Sequence, residues 1–321
     1  MEKKIRVAIA GVSGIGKHHA KWYHMAGAEV VAFLGSSEET CATGIEGLKQ
    51  IFPFSGRAYS DLDEMLQKET PDLVDICLPN ELHYDYSMRA LENGCHVLCE
   101  KPLVWAAESA PDTILTQARA MVELAQENGL RLGVCSQYAA SLPHYARLYK
   151  EQQGALSEVS RFYAEMDTLS RGRRRDAEEI WIDMGPHPLS LLLAWMPAGK
   201  VEEASLEVVF SGGEARVNFD FIDRDSTCKC DIIVRDLAEG KPVRRFGING
   251  FLVDCEGRTD TDGAYRCVLS HGGREAIGDD FMALHIAQFL QCIAQPDMEL
   301  LTSGLVGIRN LELQLQVLQH I

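Results

Sequence analysis

VAIAGVSGIGKHHAKWYHMAGAEVVAFLGSS, Val7 to Ser37, decides how the first half of the chain folds. An apolar run ends at Gly11, an amphipathic stretch runs from about Lys17, and a second apolar run ends near Gly35. Strand, glycine-rich turn, helix and second strand form the opening unit of a dinucleotide-binding sheet, but the usual G-x-G-x-x-G is altered. Glycines stand at Gly11, Gly14 and Gly16, and Ser13 occupies the place of the middle one. Gly11 permits the tight turn and Gly16 lets the helix pack closely on the strand. The middle position must let backbone approach a pyrophosphate. Ser13 with Gly14 does so in a loop one residue broader, and the serine adds a hydroxyl donor. Together with Ile15 these residues lead into a helix whose free N–H groups favour an anion. An ordinary tight turn is the rival reading. At the end of the second run, the carboxylate that would take the ribose hydroxyls is replaced by Gly35-Ser36-Ser37. Ser36 and Ser37 suit a 2′-phosphate, yet Glu38 and Glu39 follow and no arginine is adjacent. The cofactor reading is NAD or NADP, tilted by the hydroxyls towards NADP.

Working outward, the first 136 residues alternate short apolar runs (IRVAIAG, EVVAFLG, LVDICLP, HVLCEKP, LRLGVCS) with amphipathic stretches of helical period. That rhythm predicts a doubly wound parallel sheet covered on both faces. Beyond Ser136 a helix around His144 to Gln153 gives way to period-two runs: EVSRFYAEM, EEASLEVVFSG, EARVNFDFID, TCKCDIIVRD, RFGINGFLVDC and AYRCVL. Turns at Gly212-Gly213, Asp223 to Asp225 and Asp260 to Gly263 join them as hairpins of an open, mainly antiparallel sheet. Two closing helices, Asp279 to Ala294 and Leu305 to His320, carry apolar positions spaced to cover a sheet face. The expectation is an α/β domain over 1–136 and an α+β domain over 137–321.

Composition bounds the function. With 321 residues and 46% hydrophobic content, the chain is longer than one core usually extends. Lysine and arginine total 31 against 47 acids, a net charge of −16 that repels nucleic acid and anionic lipid. No apolar run approaches the roughly 20 residues of a bilayer span, and MEKKIRVAIAG runs straight into a strand rather than a signal peptide, so a cytoplasmic protein is expected. Ten cysteines lie in apolar runs with no C-x-x-C pair, which reads as buried thiols in a reducing compartment and no metal site.

Two further stretches carry chemistry. Glu100-Lys101-Pro102 closes an apolar run at a strand's carboxyl end, where open α/β sheets place ligands. Desolvation of Lys101 near a nicotinamide would let it share a proton with a substrate oxygen; the plain reading pairs it with Glu100. In EEIWIDMGPHPLSLL, Asp183 and His187 are four apart, on one side of a helix start that accepts Pro186 and Pro188. A carboxylate beside an imidazole orients the ring for general-base work on an alcohol. Their bland roles are an N-terminal cap and a satisfied half-buried histidine. Trp181 either stacks on a sugar face or closes the core. In the run Arg171, Arg173, Arg174, Arg175, one guanidinium, taken as Arg173, is a candidate for a substrate carboxylate or phosphate; the alternative is a solvated loop balanced by Asp176, Glu178 and Glu179. Tyr138, just past the last parallel strand, is a further candidate for the cleft.

G-x-x-G-x-G-x-x-H (Gly11, Gly14, Gly16, with His18 and His19), P-N-x-x-H (Pro79, Asn80, His83), E-K-P (Glu100 to Pro102) and D-x-G-x-H (Asp183, Gly185, His187) follow in this order. The ordered set resembles the glucose-fructose oxidoreductase, inositol dehydrogenase and rhizopine-catabolism family, Gfo/Idh/MocA, across essentially the whole chain. The resemblance implies a Rossmann domain, then a domain that binds substrate and associates through the outer face of its sheet into dimers or tetramers. It implies that Lys101 hydrogen-bonds the reacting oxygen, that His187 is the acid/base, and that Asp183 supports both lysine and substrate. Pro79, Asn80, His83 and Glu100 are implied to line the nicotinamide ribose side. The reaction implied is reversible hydride transfer between a nicotinamide and a secondary alcohol of a sugar, polyol or cyclitol. Departures are Ser190, where the family often has an acid, Glu178-Glu179-Ile180-Trp181 in place of a Gly-Gly, and a longer segment after E-K-P. The rivals are a sugar-sensing regulator of the same fold, against which the joint retention of Lys101, Asp183 and His187 argues, and a redox-neutral NAD-dependent glycosidase.

Overall fold

The computed structural model describes residues 4–170, 172–261 and 264–321; Arg171 of the arginine run and the last two positions of the Asp260 to Gly263 turn lie outside them. The chain divides into two units, residues 1–136 with 282–308 and residues 137–281 with 309–321.

In the first unit, β1 (Arg6–Ala10), β2 (Glu29–Leu34), β3 (Arg57–Tyr59), β4 (Leu73–Ile76), β5 (His96–Glu100) and β6 (Leu132–Cys135) form a parallel sheet in the order β3-β2-β1-β4-β5-β6. Helices α1 (Gly16–Met25), α2 (Glu38–Lys49), α3 (Leu62–Glu69), α4 (His83–Glu92) and α5 (Pro111–Glu127) connect the strands. Their ends follow from local chemistry. Ser37 and Thr40 make a reciprocal capping box on α2, the Asp61 carboxylate accepts the Glu64 N–H at 2.8 Å on α3, and Pro111 opens α5. β4 and β6 are buried along their whole length, as strands covered on both faces must be.

The closing segment corrects the expected 137–321 body. In helix α9 (Phe281–Ala294), Ile286, Phe289 and Leu290 enter the core of the first unit with Val7, Ile9 and Leu98. Gly133 on β6 makes this fit possible, because a Cβ there would lie 2.7 Å from the Phe289 ring. After α9, the Val134 N–H donates to Thr302 O at 2.9 Å, so the returning chain fastens to the edge of β6. An amphipathic face states that a helix covers a sheet, not which sheet.

The second unit is built on a nine-stranded sheet, β15-β14-β13-β12-β7-β11-β10-β8 with β9 on β10. The strands are β7 (Arg161–Leu169), β8 (Lys200–Val201), β9 (Glu207–Ser211), β10 (Glu214–Asp223), β11 (Ser226–Leu237), β12 (Arg244–Ile248), β13 (Phe251–Thr259), β14 (Tyr265–His271) and β15 (Arg274–Asp279). All pairings are antiparallel except β7 with β11. RFGINGFLVDC, read as one run, is a hairpin: Asn249 (φ 52°) and Gly250 (φ 83°) make the tight turn that an Asn-Gly pair favours. Gly272 and Gly273, also at positive φ, turn the chain into β15, a strand the sequence reading omits. Helices α6 (Leu142–Gln153), α7 (Ala177–Met184), α8 (Pro186–Trp195) and the later part of α10 (Gly304–Gln319) belong to this unit. Tyr145 of α6 pins its helix to the β12–β13 hairpin: its hydroxyl donates to Phe251 O at 2.8 Å and accepts the Ile248 N–H at 3.0 Å. No helix among the described residues is long and apolar enough to cross a membrane.

Candidate functional site

In the first unit a cleft of about 530 Å3 opens at the carboxyl ends of β1, β2 and β4, the point where strand order reverses. Gly11, Ser13, Ser36 and Pro79 line it. Gly11 has φ +91°, and a Cβ on it would lie 2.8 Å from Cys77 O. A Cβ on Gly16 would lie 1.9 Å from Gly11 O, so the helix can approach the loop only with glycine there. A Cβ on Gly14 would meet nothing within 4 Å. The backbone at Gly14 is thus open to a ligand. No side chain caps α1 and no acid lies in its first turn, which leaves its N–H groups to an anion. The residues present fit a dinucleotide pyrophosphate.

At the β2 end the two serines separate. The Ser37 hydroxyl accepts the Thr40 N–H at 3.2 Å and serves as a helix cap, whereas Ser36 faces the cleft with Thr40 and Thr43. Lys17 and Glu39 line the same cleft: the acid follows the two serines in the sequence, whereas the cation comes from helix α1.

His83 is corrected from lining to support. It is fully buried, with Nδ1 2.8 Å from Pro102 O and Nε2 2.9 Å from Leu78 O, and so ties the Pro79-Asn80 turn to the Glu100-Lys101-Pro102 segment. Burial holds its pKa below the usual imidazole value despite the two carbonyls. Glu100 faces a group the sequence reading counted only as part of a motif. The His19 ring is buried between two carboxylates, Nδ1 at 2.8 Å from Asp75 and Nε2 at 3.2 Å from Glu100. Burial opposes charging this ring, but the electrostatics of Cys77, Asp75 and Cys135 outweigh it and hold the pKa well above 6.5. Burial raises the pKa of both thiols. The Lys101 N–H donates to Glu100 at 3.2 Å, so the imidazolium anchors the start of the lysine segment.

In the second unit, Asp183 lies in the last turn of α7 and His187 in the first turn of α8. Gly185 continues the helix between them, its N–H donating to Trp181 O at 2.8 Å while it accepts from Leu189 N at 3.2 Å, which sets Asp183 and His187 one turn apart on one face. The Asp183 carboxylate is held by Arg175, whose guanidinium also binds Asp236 at 2.9 Å. The ring of Tyr138, buried as the cleft reading allows, packs edge-on against His187 with centroids 5.0 Å apart, and its hydroxyl accepts from Arg244.

Two expected substrate contacts are corrected. Trp181 is fully buried, its Nε1–H donating to Gln314 O at 3.3 Å; it closes the core. Arg173 is held by both Glu179 oxygens on the surface and is neutralised locally. Ser190 is buried and accepts the Asn310 amide at 3.0 Å, so it supports α8 from behind.

Residues 5–136 match the family described as an oxidoreductase family with an NAD-binding Rossmann fold. The match covers the Rossmann part of the chain. The D-glucoside 3-dehydrogenase of Escherichia coli K12 is 31% identical over 159 residues, 48% of this chain and 41% of that protein. The chain spans less than two thirds of the length of the first curated relatives it matches. Among solved structures, a UDP-N-acetylglucosamine 3-dehydrogenase from Acidithiobacillus ferrooxidans superposes with a TM-score of 0.73 at 22% identity, covering 100% of this chain and 98% of that one. A 3-ketoreductase from Actinomadura kijaniata, solved with NADP and TDP-benzene, gives 0.72 at 17% identity over 99% and 98%. Sequence reasoning overlooked Arg244, Lys17 and Asp75, and from the arginine run it took Arg173 where Arg175 is the one that holds Asp183. Arg175 had a visible signal, a run of arginines eight residues before Asp183, and Lys17 directly follows the glycine loop; Arg244 and Asp75 had none, since each meets its partner from an element distant in sequence.

Proposed function

We propose that the protein is an NAD(P)-dependent oxidoreductase that transfers a hydride between the nicotinamide and a secondary alcohol of a sugar, polyol or cyclitol. The observation that carries this reading is the cleft lined by Gly11, Ser13 and Lys17 at the uncapped start of α1, in a domain matching an NAD-binding family. The dehydrogenase names of its relatives support the alcohol substrate. When bound, the nicotinamide supplies the hydride acceptor or donor.

The first unit holds the cofactor. Ser13, Gly14, Ile15 and the N–H groups of Gly16 and Lys17 take the pyrophosphate, Ser36 with Glu39 takes the adenosine ribose, and Pro79 and Asn80 take the nicotinamide ribose. The second unit binds substrate. His187 accepts the hydroxyl proton as the alcohol is oxidised and returns it on reduction. Tyr138 fixes the plane of the His187 ring, and Arg175 fixes Asp183. Lys101 donates a hydrogen bond to the reacting oxygen, which stabilises the negative charge that grows there as the proton leaves. The uncovered sheet face, carrying Tyr163, Glu165 and Arg235, is the surface for a homodimer or homotetramer, a state that light scattering measures directly. Ten free thiols suit a reducing cytoplasm.

The test is incubation with NAD or NADP and pooled polyols, aldoses, sugar acids and inositols while following nicotinamide absorbance. Reduction that depends on one member of the pool supports the reading. Tight cofactor binding with no reduction from any pool would overturn it in favour of a cofactor-binding regulator.

A further inference from the structure

A second cavity, of about 390 Å3, lies wholly within the second unit, and Tyr138 forms part of its wall. Arg244, Cys255, Gly257 and Cys267 also line it. By the two-residue alternation of strands, Arg244 shares a sheet face with Phe246, whose ring packs on Tyr138 and Tyr145. The cavity therefore opens on the face that carries His187's neighbour. Gly257 shapes it: a Cβ there would lie 1.7 Å from the Tyr265 hydroxyl, so the glycine allows the Tyr265 ring to lie across β13 as a half-exposed wall.

Most arginines of this sheet are matched to acids, the exposed Arg161 at the start of β7 excepted. Arg235 binds Glu165 and Asp167, Arg245 binds Asp254 at 2.7 Å, Arg258 binds Glu275 at 2.6 Å and Arg266 binds Asp260 at 3.1 Å. Arg244 differs. Among the described residues its guanidinium has one protein acceptor, the Tyr138 hydroxyl, and no carboxylate within ion-pair distance. Asp167, on the adjacent strand, is occupied by Arg235 and by the Val243 N–H at 2.9 Å. Asp167 senses the Arg244 charge from beyond ion-pair distance, so the half-buried guanidinium keeps donors facing the cavity for a closer anion.

The other charges define the missing partner. Lys241 lines the cavity but is paired with Glu256 at 2.5 Å, and Asp280 lines it too. Lys241 and Arg244 balance Glu256 and Asp280 in number, so a monoanion on Arg244 adds a single net negative charge, while a dianion would add two beside Glu256 and Asp280. Cys255 and Cys267 do not compete, since burial pushes their thiols up to about 12 and about 11. The planar guanidinium fork matches the two oxygens of a carboxylate. We infer that this cavity is a subsite for a carboxylate carried by the substrate, so that the alcohol oxidised is that of a sugar acid, its carboxylate on Arg244 and its carbon chain running past Tyr138 towards His187. The link to oxidation rests on the function proposed above; the carboxylate site itself does not.

The test separates the two. Isothermal titration of the full chain, with saturating cofactor, uses D-glucuronate, D-glucose and inorganic phosphate as probes. Saturable binding of glucuronate, with glucose at least ~10-fold weaker, is expected, and Arg244→Gln should weaken glucuronate about 10–100-fold while leaving glucose affinity within a few-fold. Arg244→Lys, which keeps the charge without the fork, should recover part of the loss and controls for folding. Phosphate bound more tightly than glucuronate, glucose and glucuronate bound equally, or glucuronate affinity unchanged in Arg244→Gln would each overturn the carboxylate site. Glucuronate bound through Arg244 but not oxidised would leave the subsite standing and count against the redox reading alone.

Discussion

His187 sits at the start of α8 with its ring against Tyr138, buried to 7% exposure and one turn from Asp183. His187→Ala is expected to lower kcat by about 10^2–10^4-fold, the range of one lost general base, with cofactor affinity unchanged because the nucleotide cleft lies in the first unit. Steady-state rates with a parallel cofactor titration check this, and full turnover by the variant would remove His187 from the mechanism. Glu39 poses a different question, because it stands in the cleft beside Ser36 where a 2′-phosphate would bring further negative charge. Glu39→Gln should therefore raise kcat/KM for NADP relative to NAD by roughly tenfold, the size of a charge repulsion at the protein surface. An unchanged ratio would mean that the adenosine ribose does not lie against Glu39.

At the scale of elements, the glycine loop offers a paired experiment. Gly16→Ala forces a Cβ to within 1.9 Å of a backbone oxygen and should destabilise the first unit by at least ~1–3 kcal/mol. Gly14→Ala points into open space and should leave stability within ~0.5 kcal/mol while weakening dinucleotide binding, since the methyl group occupies the approach to the backbone. Urea melts and cofactor titrations on both variants decide it; cofactor binding undiminished in Gly14→Ala would return the loop to an ordinary turn. This loop was readable in the sequence because strand, turn and helix are local. So was the alternation of strands and helices up to Cys135, which the parallel sheet reproduces. What could not be read was set by distant partners. The indole of Trp181 looks the same in a sequence whether it meets a sugar or Gln314, and His83 in P-N-x-x-H gives no hint that both its nitrogens are spent on carbonyls. The face of α9 was recognised but not its destination, because Gly133, which admits Phe289, lies about 150 residues earlier.

Across the whole molecule, two buried histidines in the first unit give stability opposite dependences on pH. His285 is buried, and burial first of all, with the nearby His19 adding to it, lowers its pKa to about 4. The unfolded chain takes up that proton near 6.5. Stability from the neutral ring is therefore complete above about 6.5 and is lost as the pH falls towards 4, a loss of ~3 kcal/mol for a shift of this size. His19 runs the other way. Its pKa is raised well above 6.5 by the facing groups, so its contribution is complete below about 6.5 and is lost as pH rises through the raised folded value. Together the two favour a stability maximum near about 6.5, bounded by His285 in acid and by His19 in alkali. His285→Gln should flatten the acid limb of a urea-midpoint series and leave the alkaline limb alone. His19→Gln should lower stability most where the imidazolium is present and flatten the alkaline limb, because Asp75 then loses its charged partner within the core. If each variant's curve ran parallel to that of the unmodified protein, neither histidine would change protonation on unfolding, and the ionic contact of His19 with Asp75 and Glu100 would have to be replaced by a neutral hydrogen bond.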